Sequence, residues 1–448
     1  MQGVCGLTYD VSLISLGCPK NLVDSEVMLK IIENNRKYKV VDKLDKANVI
    51  IINTCGFIEN AKQESINTII EIGNYKKKGK CKAIIAAGCL AERYNKELME
   101  LLPELDAVIG TGDYKNIDCV IDKVLKNEKV ILFGNQERVD IEVLDRVINK
   151  EAPSMYVKIA EGCDNRCTYC AIPFIRGRFR SRSMENIVKE VYFLARNGIK
   201  EIILIAQDTT MYGRDIYGKS KLPELLREIS TVEEIEWVRL MYTYPDRFSN
   251  ELIDVIASED KVCKYIDMPI QHANDRILKL MGRHITKKEI LSLVERLRDR
   301  VPNITIRTSL IVGFPGESEL DFKELMDFIK EVEFDKLGVF TYSREEGTYA
   351  YNMKSQIKDK EKIKRQEIIM EAQMEISLKK NTEFIGKTLK VLTEKYEDGC
   401  YYGRCYRDAP EIDGSVCFKS DIHINNGEFC NVLINGATEY DLLGERIK

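Results

Sequence analysis

The sequence predicts an α/β protein in three units: an N-terminal parallel-sheet α/β domain, a central (βα) part-barrel and a small C-terminal antiparallel β-barrel. Two alternations and one break predict it. Short β-branched runs alternate with helical patterns in the first 135 residues, the alternation resumes for six further units, and from Phe384 it gives way to short strands separated by turn dipeptides. A chain of 448 residues is also too long for one hydrophobic core. The predicted division is 1–135 for the first domain, 136–152 for a linker where periodicity fades, 153–378 for the part-barrel and 379–448 for the terminal barrel.

In the first domain the strand-like runs are 11–16, 47–53, 83–87, 107–109 and 129–133. Between the first two, Val27 and Met28 recur one helical turn later as Ile31 and Ile32, which gives a helix with one apolar face. The lysine-rich stretch that starts at Lys76 reads as a solvated turn. The second series has runs at 155–160, 201–206, 236–242, 264–268, 304–312 and 336–341. Ser183 is placed to cap the helix that ends before Gly198, and Thr286 with Glu289 forms a capping box before the next apolar helix. Six such βα units suit a part-barrel, whose chemistry belongs at the carboxyl ends of its strands. A charged helix then runs from Lys358 to about Lys380, and the turn dipeptides Asp398-Gly399, Asp413-Gly414, Asn426-Gly427 and Asn435-Gly436 punctuate the terminal barrel.

With 44% hydrophobic and 31% charged residues the chain has an ordinary globular composition, which sets disorder aside. No window approaches the roughly 18 apolar residues of a membrane span, so no membrane partner and a cytoplasmic location are expected. The net charge of −4 lies in the tail, where twelve acidic residues face eight basic ones from Asn381 onward. The neutral body with an acidic end argues against a protein built mainly to grip a phosphate backbone. Fourteen cysteines in a long chain of the reducing cytosol do not read as a disulfide framework. With His272, His284 and His423 as the whole histidine complement, and no HExxH pair, a histidine-rich zinc hydrolase has no ligands. Thiolates are left to do the binding.

The strongest pattern is EGCDNRCTYCAIP at 161–173, which sets Cys163, Cys167 and Cys170 in C-x3-C-x2-C spacing after the first barrel strand. Three thiolates on one loop can hold three irons of a cubane and leave the fourth open for a substrate or cofactor. A structural zinc loop is the competing reading, and it lacks a fourth ligand. A second set is dispersed: Cys18 in SLGCPKNLVDSE, Cys55 in INTCGFI and Cys89 in AAGCLAERY each follow a predicted strand. Singly, each reads as a buried or merely exposed thiol; jointly, parallel strands bring such positions to one edge, where they can converge on a second cluster. Arg176, Arg178, Arg180 and Arg182 alternate along the chain as a solvated edge or an acidic-substrate contact. Cys400, Cys405, Cys417 and Cys430, like Cys5, Cys81, Cys119 and Cys263, have no motif context.

C-x3-C-x2-C with an aromatic before the last cysteine resembles the radical S-adenosylmethionine (SAM) signature. The resemblance implies a [4Fe-4S] cluster on Cys163, Cys167 and Cys170, whose open iron binds SAM for one-electron cleavage to a 5′-deoxyadenosyl radical. With the dispersed cysteines and the terminal barrel, the whole chain resembles the methylthiotransferases. That implies a second [4Fe-4S] cluster on Cys18, Cys55 and Cys89, a TRAM barrel at the C-terminus, and two uses of SAM, as methyl donor and as radical source. SLGCPKNLVDSE, YTYPD at 242–246, DMPIQHA at 267–273 and RDAPEIDG at 407–414 resemble the branch that modifies an aspartate β-carbon in ribosomal protein S12. The implied partners are S12 or the small ribosomal subunit, with an external reductant and a sulfur donor. The tRNA-modifying branch is the alternative, and a non-catalytic Fe–S electron carrier is the alternative of another class. Gln207 and Asp208, after the second barrel strand, and Gln271 with His272, after the fourth, are candidates to line the SAM or substrate site, against ordinary strand-end hydrogen bonding; Arg307 is a candidate to pair with the SAM carboxylate and Gly313 to admit close backbone approach, against purely structural roles.

Overall fold

The computed structural model describes residues 8–134, 141–142, 145–149 and 152–447, so the linker expected at 136–152 falls largely outside the described residues. In the first domain β1 (Tyr9–Ser15), β2 (Tyr38–Val40), β3 (Val49–Thr54), β4 (Ala83–Gly88), β5 (Ala107–Ile109) and β6 (Val130–Leu132) pair in the order β2-β1-β3-β4-β5-β6, all parallel. Strands β3 and β4 are buried throughout, as strands covered on both faces must be. One face packs Val27, Met28 and Ile32 of α1 (Pro19–Asn34) with Ile117 and Val120 of α4 (Ile117–Val124). The other packs Ile69 and Ile72 of α2 (Glu59–Lys78) with Leu90 and Leu98 of α3 (Cys89–Leu101). The lysine-rich stretch corrects the expected solvated turn. Lys76 and its neighbours complete α2, where its carboxyl-end dipole favours cations, and Lys76 pairs with Asp106 at 2.6 Å.

The second sheet starts with β7 (Ser154–Lys158), followed by the two-stranded ribbon of β8 (Ala160–Glu161) and β9 (Arg180–Ser181). Then come β10 (Glu201–Ile205), β11 (Trp237–Leu240), β12 (Val262–Asp267), β13 (Thr305–Val312) and β14 (Lys336–Thr341). The sheet order is β14-β13-β12-β11-β10-β7, all parallel, which is the part-barrel the six βα units predict. Its outer face is covered by α6 (Met184–Arg196), α8 (Leu222–Ser230), α9 (Asn250–Ser258), α10 (Asp275–Leu280), α11 (Lys287–Arg300) and α12 (Glu319–Val332), whereas α5 (Ile172–Ile175) packs against Cys89 of the first domain and α7 (Arg214–Tyr217) lies against β9. Ser183 caps α6, and Thr286 with Glu289 closes the expected capping box on α11.

Helix α13 (Asp359–Thr382) leads to a closed barrel of β15 (Thr388–Glu397), β16 (Cys400–Arg404), β17 (Val416–Lys419), β18 (Phe429–Ala437) and β19 (Leu442–Arg446). Its pairs are antiparallel except for β17 with β19, which run parallel and close it. Asn435-Gly436 is not a turn: it sits inside β18 at a register shift, the other use of glycine in a strand. The inner face of the part-barrel is filled from both neighbours. Val23 of α1 and Leu392 and Ala409 of the terminal unit pack with Ile203, Ile205, Met241 and Tyr265. Glu201 of β10 ties the terminal barrel down by pairing with Arg239 at 2.7 Å and Arg404 at 2.6 Å.

Candidate active site

Strands β1, β3 and β4 are adjacent and parallel, so their carboxyl ends meet at one edge. Cys18 is the residue before α1, Cys55 follows β3, and Cys89 opens α3 directly after β4. Two glycines let these loops close on one another. Gly17 has φ +86° and lies against Cys55, where a Cβ would stand 2.9 Å from its Sγ; Gly88 has φ +90°, and a Cβ there would collide with the Asn53 side chain. Asn21 ties the edge together by donating to the carbonyls of Leu16 at 3.0 Å and Thr54 at 2.9 Å. Burial pushes the Cys89 thiol up to about 12 and raises that of Cys55. The guanidinium of Arg176 lies 3.4 Å from Cys89 Sγ, a cation placed to favour a thiolate ligand there.

The other trio lies on the loop between β8 and α5. Cys163 N–H donates to the Gly177 carbonyl at 3.1 Å, and Cys170 N–H to that of Cys167 at 3.0 Å. Thr168 pins the loop from outside: its N–H donates to Met281, its hydroxyl to Leu280, and its carbonyl accepts from Ala350, all within 2.9 Å. Tyr169 packs edge-on against Phe314. Tyr244 brings its hydroxyl to 3.9 Å from Cys167 Sγ and carries the Arg283 guanidinium on its ring, 3.9 Å from the centroid. Burial pushes Cys163 up to about 11 and Cys170 higher still. Among the described residues no group of three Cys, His, Asp or Glu is gathered to hold a metal ion. A cubane asks for a different arrangement, because each thiolate takes its own iron, and two sets of three soft sulfur donors suit that group.

A buried polar network joins the trios. Arg176 pairs with Asp24 of α1 at 2.7 Å and Glu161 of β8 at 3.1 Å, and also contacts Asn21. Lys158 joins the same two carboxylates, 2.6 Å from Glu161. Burial alone raises the Glu161 carboxyl, but Arg176 and Lys158 override it and hold the group well below the usual carboxylate range. Burial lowers Lys158, and Asp24 and Glu161 reverse this and keep it charged. Arg146 makes a second link, to Glu26 of α1 at 2.6 Å and Glu190 of α6 at 2.8 Å.

The arginine run is a correction. Arg176 and Arg182 are buried, and Arg182 pairs with Glu190 at 2.6 Å, while Arg178 is exposed. A continuous strand would set all four on one face; only Arg180 lies in the ribbon and Arg176 ends α5, so the irregular backbone between them turns Arg176 and Arg182 inward while Arg178 stays out. Gln207 donates to Glu161 at 2.9 Å, and its carbonyl oxygen is buried without a partner. Asp208 is fully buried, accepting from Asn165 of the cysteine loop at 2.8 Å and pairing with Arg247 at 2.5 Å. Gln271 has φ +71° and is held by backbone bonds to Ser309 and Ile311. His272 accepts from Asn274 N–H at 2.9 Å, and burial lowers it to about 3. Arg307 is taken up by Asp267 at 2.8 Å and Asp413 at 3.4 Å, and the space above Gly313 is filled by Lys362. Sequence reasoning missed Asp24, Lys158 and Arg176 as a unit. Their partners lie far apart in the chain and carry no local motif.

Three family models match this chain: the Radical SAM superfamily over residues 157–329, Uncharacterized protein family UPF0004 over 10–110, and the TRAM domain over 385–447. Together with the cysteine loop at the mouth of the parallel part-barrel, they define a radical SAM enzyme with a TRAM barrel. The ribosomal protein uS12 methylthiotransferase RimO of Acetivibrio thermocellus is 54% identical over 446 residues, covering 98% of each chain. That of Clostridium acetobutylicum is 54% identical over 432 residues, covering 96% of this chain and 97% of the relative. The chain belongs to the RimO family of methylthiotransferases. It is therefore an enzyme, and its cofactors are SAM and two [4Fe-4S] clusters. Solved structures share its fold. The radical SAM methyltransferase TsrM from Kitasatospora setae superposes with TM-score 0.58 at 14% identity, over 91% of this chain and 82% of that one. The cobalamin-dependent SAM radical enzyme OxsB does so with 0.53 at 15% identity, over 80% and 56%.

Proposed function

We propose that this chain inserts a methylthio group at the β-carbon of an aspartate in ribosomal protein uS12. In this reading Cys163, Cys167 and Cys170 hold the radical cluster, and Cys18, Cys55 and Cys89 hold the auxiliary one. The observation that carries it is the juxtaposition of the trios, with Arg176, at the end of the short helix α5 that follows the radical-site loop, reaching Cys89. The units divide at 1–135, 136–152, 153–378 and 379–448. An external reductant and sulfur donor serve the enzyme in the cytoplasm, in keeping with the finding that no helix among the described residues is long and apolar enough to cross a membrane.

When bound, the clusters supply the electron that cleaves SAM and a site where sulfur is methylated before transfer. The chain's own residues hold the geometry. Glu161, Asp24, Lys158 and Arg176 fix the spacing between the two sites, so the reacting groups are brought together without further ordering. Gln207 offers an unpaired buried carbonyl oxygen to a donor group of the cofactor, and Asp208 orients the cysteine loop through Asn165. Gln271 lines the same strand ends. Arg307 and Gly313 act at one remove, through Asp267 and the packing of Lys362. The apolar inner face of Ile203, Ile205 and Met241 keeps water from a carbon radical. The acidic terminal barrel suits a basic protein partner better than a phosphate backbone.

The test is anaerobic incubation of the reconstituted protein with SAM, a reductant and either uS12 or tRNA, followed by mass spectrometry. A methylthio gain on an aspartate of uS12 is expected. A gain on tRNA alone, or intact SAM with neither product, overturns the reading.

A further inference from the structure

We propose that Lys20 receives the side-chain carboxylate of the substrate aspartate, at the junction between the first domain and the part-barrel; this rests on the methylthiotransferase reading above. Lys20 lies in the first turn of α1, two residues after Cys18, and is 6% exposed. A buried ammonium is costly unless an anion or acceptors compensate it. Among the described residues Lys20 has neither hydrogen bond nor ion pair. Its ammonium rests on the ring of Tyr242, 2.9 Å from the centroid. Tyr242 is itself held in an unusual conformation: φ is +58°, an outlier for a bulky residue, and its N–H donates to Asp267 at 3.0 Å.

The carboxylates whose charge reaches Lys20 are already engaged. Asp267 accepts from Arg307 and from Tyr242 N–H, and Glu161 from Lys158, Arg176 and Gln207. The other cations of this junction are matched: Lys158 and Arg176 by Asp24 and Glu161, and Arg307 by Asp267 and Asp413. Lys20, whose largest favourable charge is that of Cys18, a ligand of the auxiliary cluster in this reading, is the cation left without a carboxylate, held in place by an aromatic face and standing between Cys18 and the carboxyl ends of β11 and β12. A carboxylate supplies the missing charge and the acceptors in one group. The β-carbon of an aspartate is bonded directly to its carboxylate. A cation gripping that carboxylate therefore also fixes the carbon to be modified.

The experiment measures anaerobic binding of fluorescently labelled uS12 to the holoenzyme in the presence of SAM, using native uS12 and uS12 with its modified aspartate changed to asparagine. Wild type is expected to bind the native protein about tenfold more tightly, the factor one charge-assisted hydrogen bond makes. Lys20→Met, close in volume, is expected to bind both proteins equally at the weaker level. The wild-type comparison stands even if the variant folds poorly. Equal binding of both proteins by wild type, with the methylthio gain on uS12 intact, overturns the role of Lys20 and leaves the function standing. Weakened SAM binding by Lys20→Met with the preference for native uS12 retained assigns the lysine to the cofactor carboxylate and overturns the proposal. Failure of wild type to bind or modify uS12 overturns the function itself, and the proposal with it.

Discussion

The two cysteine trios are built in opposite ways. Cys163, Cys167 and Cys170 share one loop, stitched by its own backbone and pinned by Leu280, Met281 and Ala350. Cys18, Cys55 and Cys89 come from three strand ends and meet because β1, β3 and β4 lie in register. The first trio depends on a local conformation, the second on a whole sheet. Changes that loosen the first domain should therefore empty the auxiliary site while the loop site survives.

The largest effect is expected from Cys89→Ala, which should lower iron after reconstitution from roughly eight to roughly four per chain. Cys163→Ala should do the same from the other side, and loss of all iron in either variant would show that the sites are not independent. Next is Arg176→Met, which leaves Asp24 and Glu161 buried with one cation fewer. A loss of about 3–5 kcal/mol in unfolding free energy is expected for a broken buried pair. Denaturant unfolding checks it, and an unchanged midpoint would remove the network from the account.

Acid should act on the part-barrel and its TRAM interface in two steps. Burial lowers His272 to about 3, so below the ordinary value of 6.5 the unfolded chain takes up a proton that the folded one refuses, and stability falls. For Glu201 burial raises the carboxyl, but Arg404 and Arg239 override it and hold it at about 2. Its contribution is present above the ordinary value of 4.5 and is lost as pH falls toward 2, and Glu201→Gln should flatten that lower step. Thermal unfolding across pH reads both. The smallest effect is expected from Gly88→Ala, at about 1–3 kcal/mol for a positive-φ extended conformation open essentially to glycine, together with the collision with Asn53 and the Thr54 carbonyl. Iron analysis should place the damage at the auxiliary site.

Legibility in the sequence followed the same division. The loop trio was readable from spacing alone, and the strand runs located both sheets because buried parallel strands are continuous apolar runs. Edge strand β2 was missed, since three residues of YKV are too few to show a period. Asn435-Gly436 was read as a turn because a turn and a bulge draw on the same glycine. The Asp24–Lys158–Glu161–Arg176 network was invisible for a deeper reason: charged residues read as solvated until the fold supplies buried partners from another domain.

The most direct test of the central claim, that two cysteine sites cooperate across one junction, is to quantify 5′-deoxyadenosine and methylthiolated uS12 together in wild type, Cys163→Ala and Cys89→Ala. The account predicts both products from wild type, neither from Cys163→Ala, and 5′-deoxyadenosine without methylthiolated uS12 from Cys89→Ala. Methylthiolated uS12 formed by Cys89→Ala at the wild-type level would contradict it.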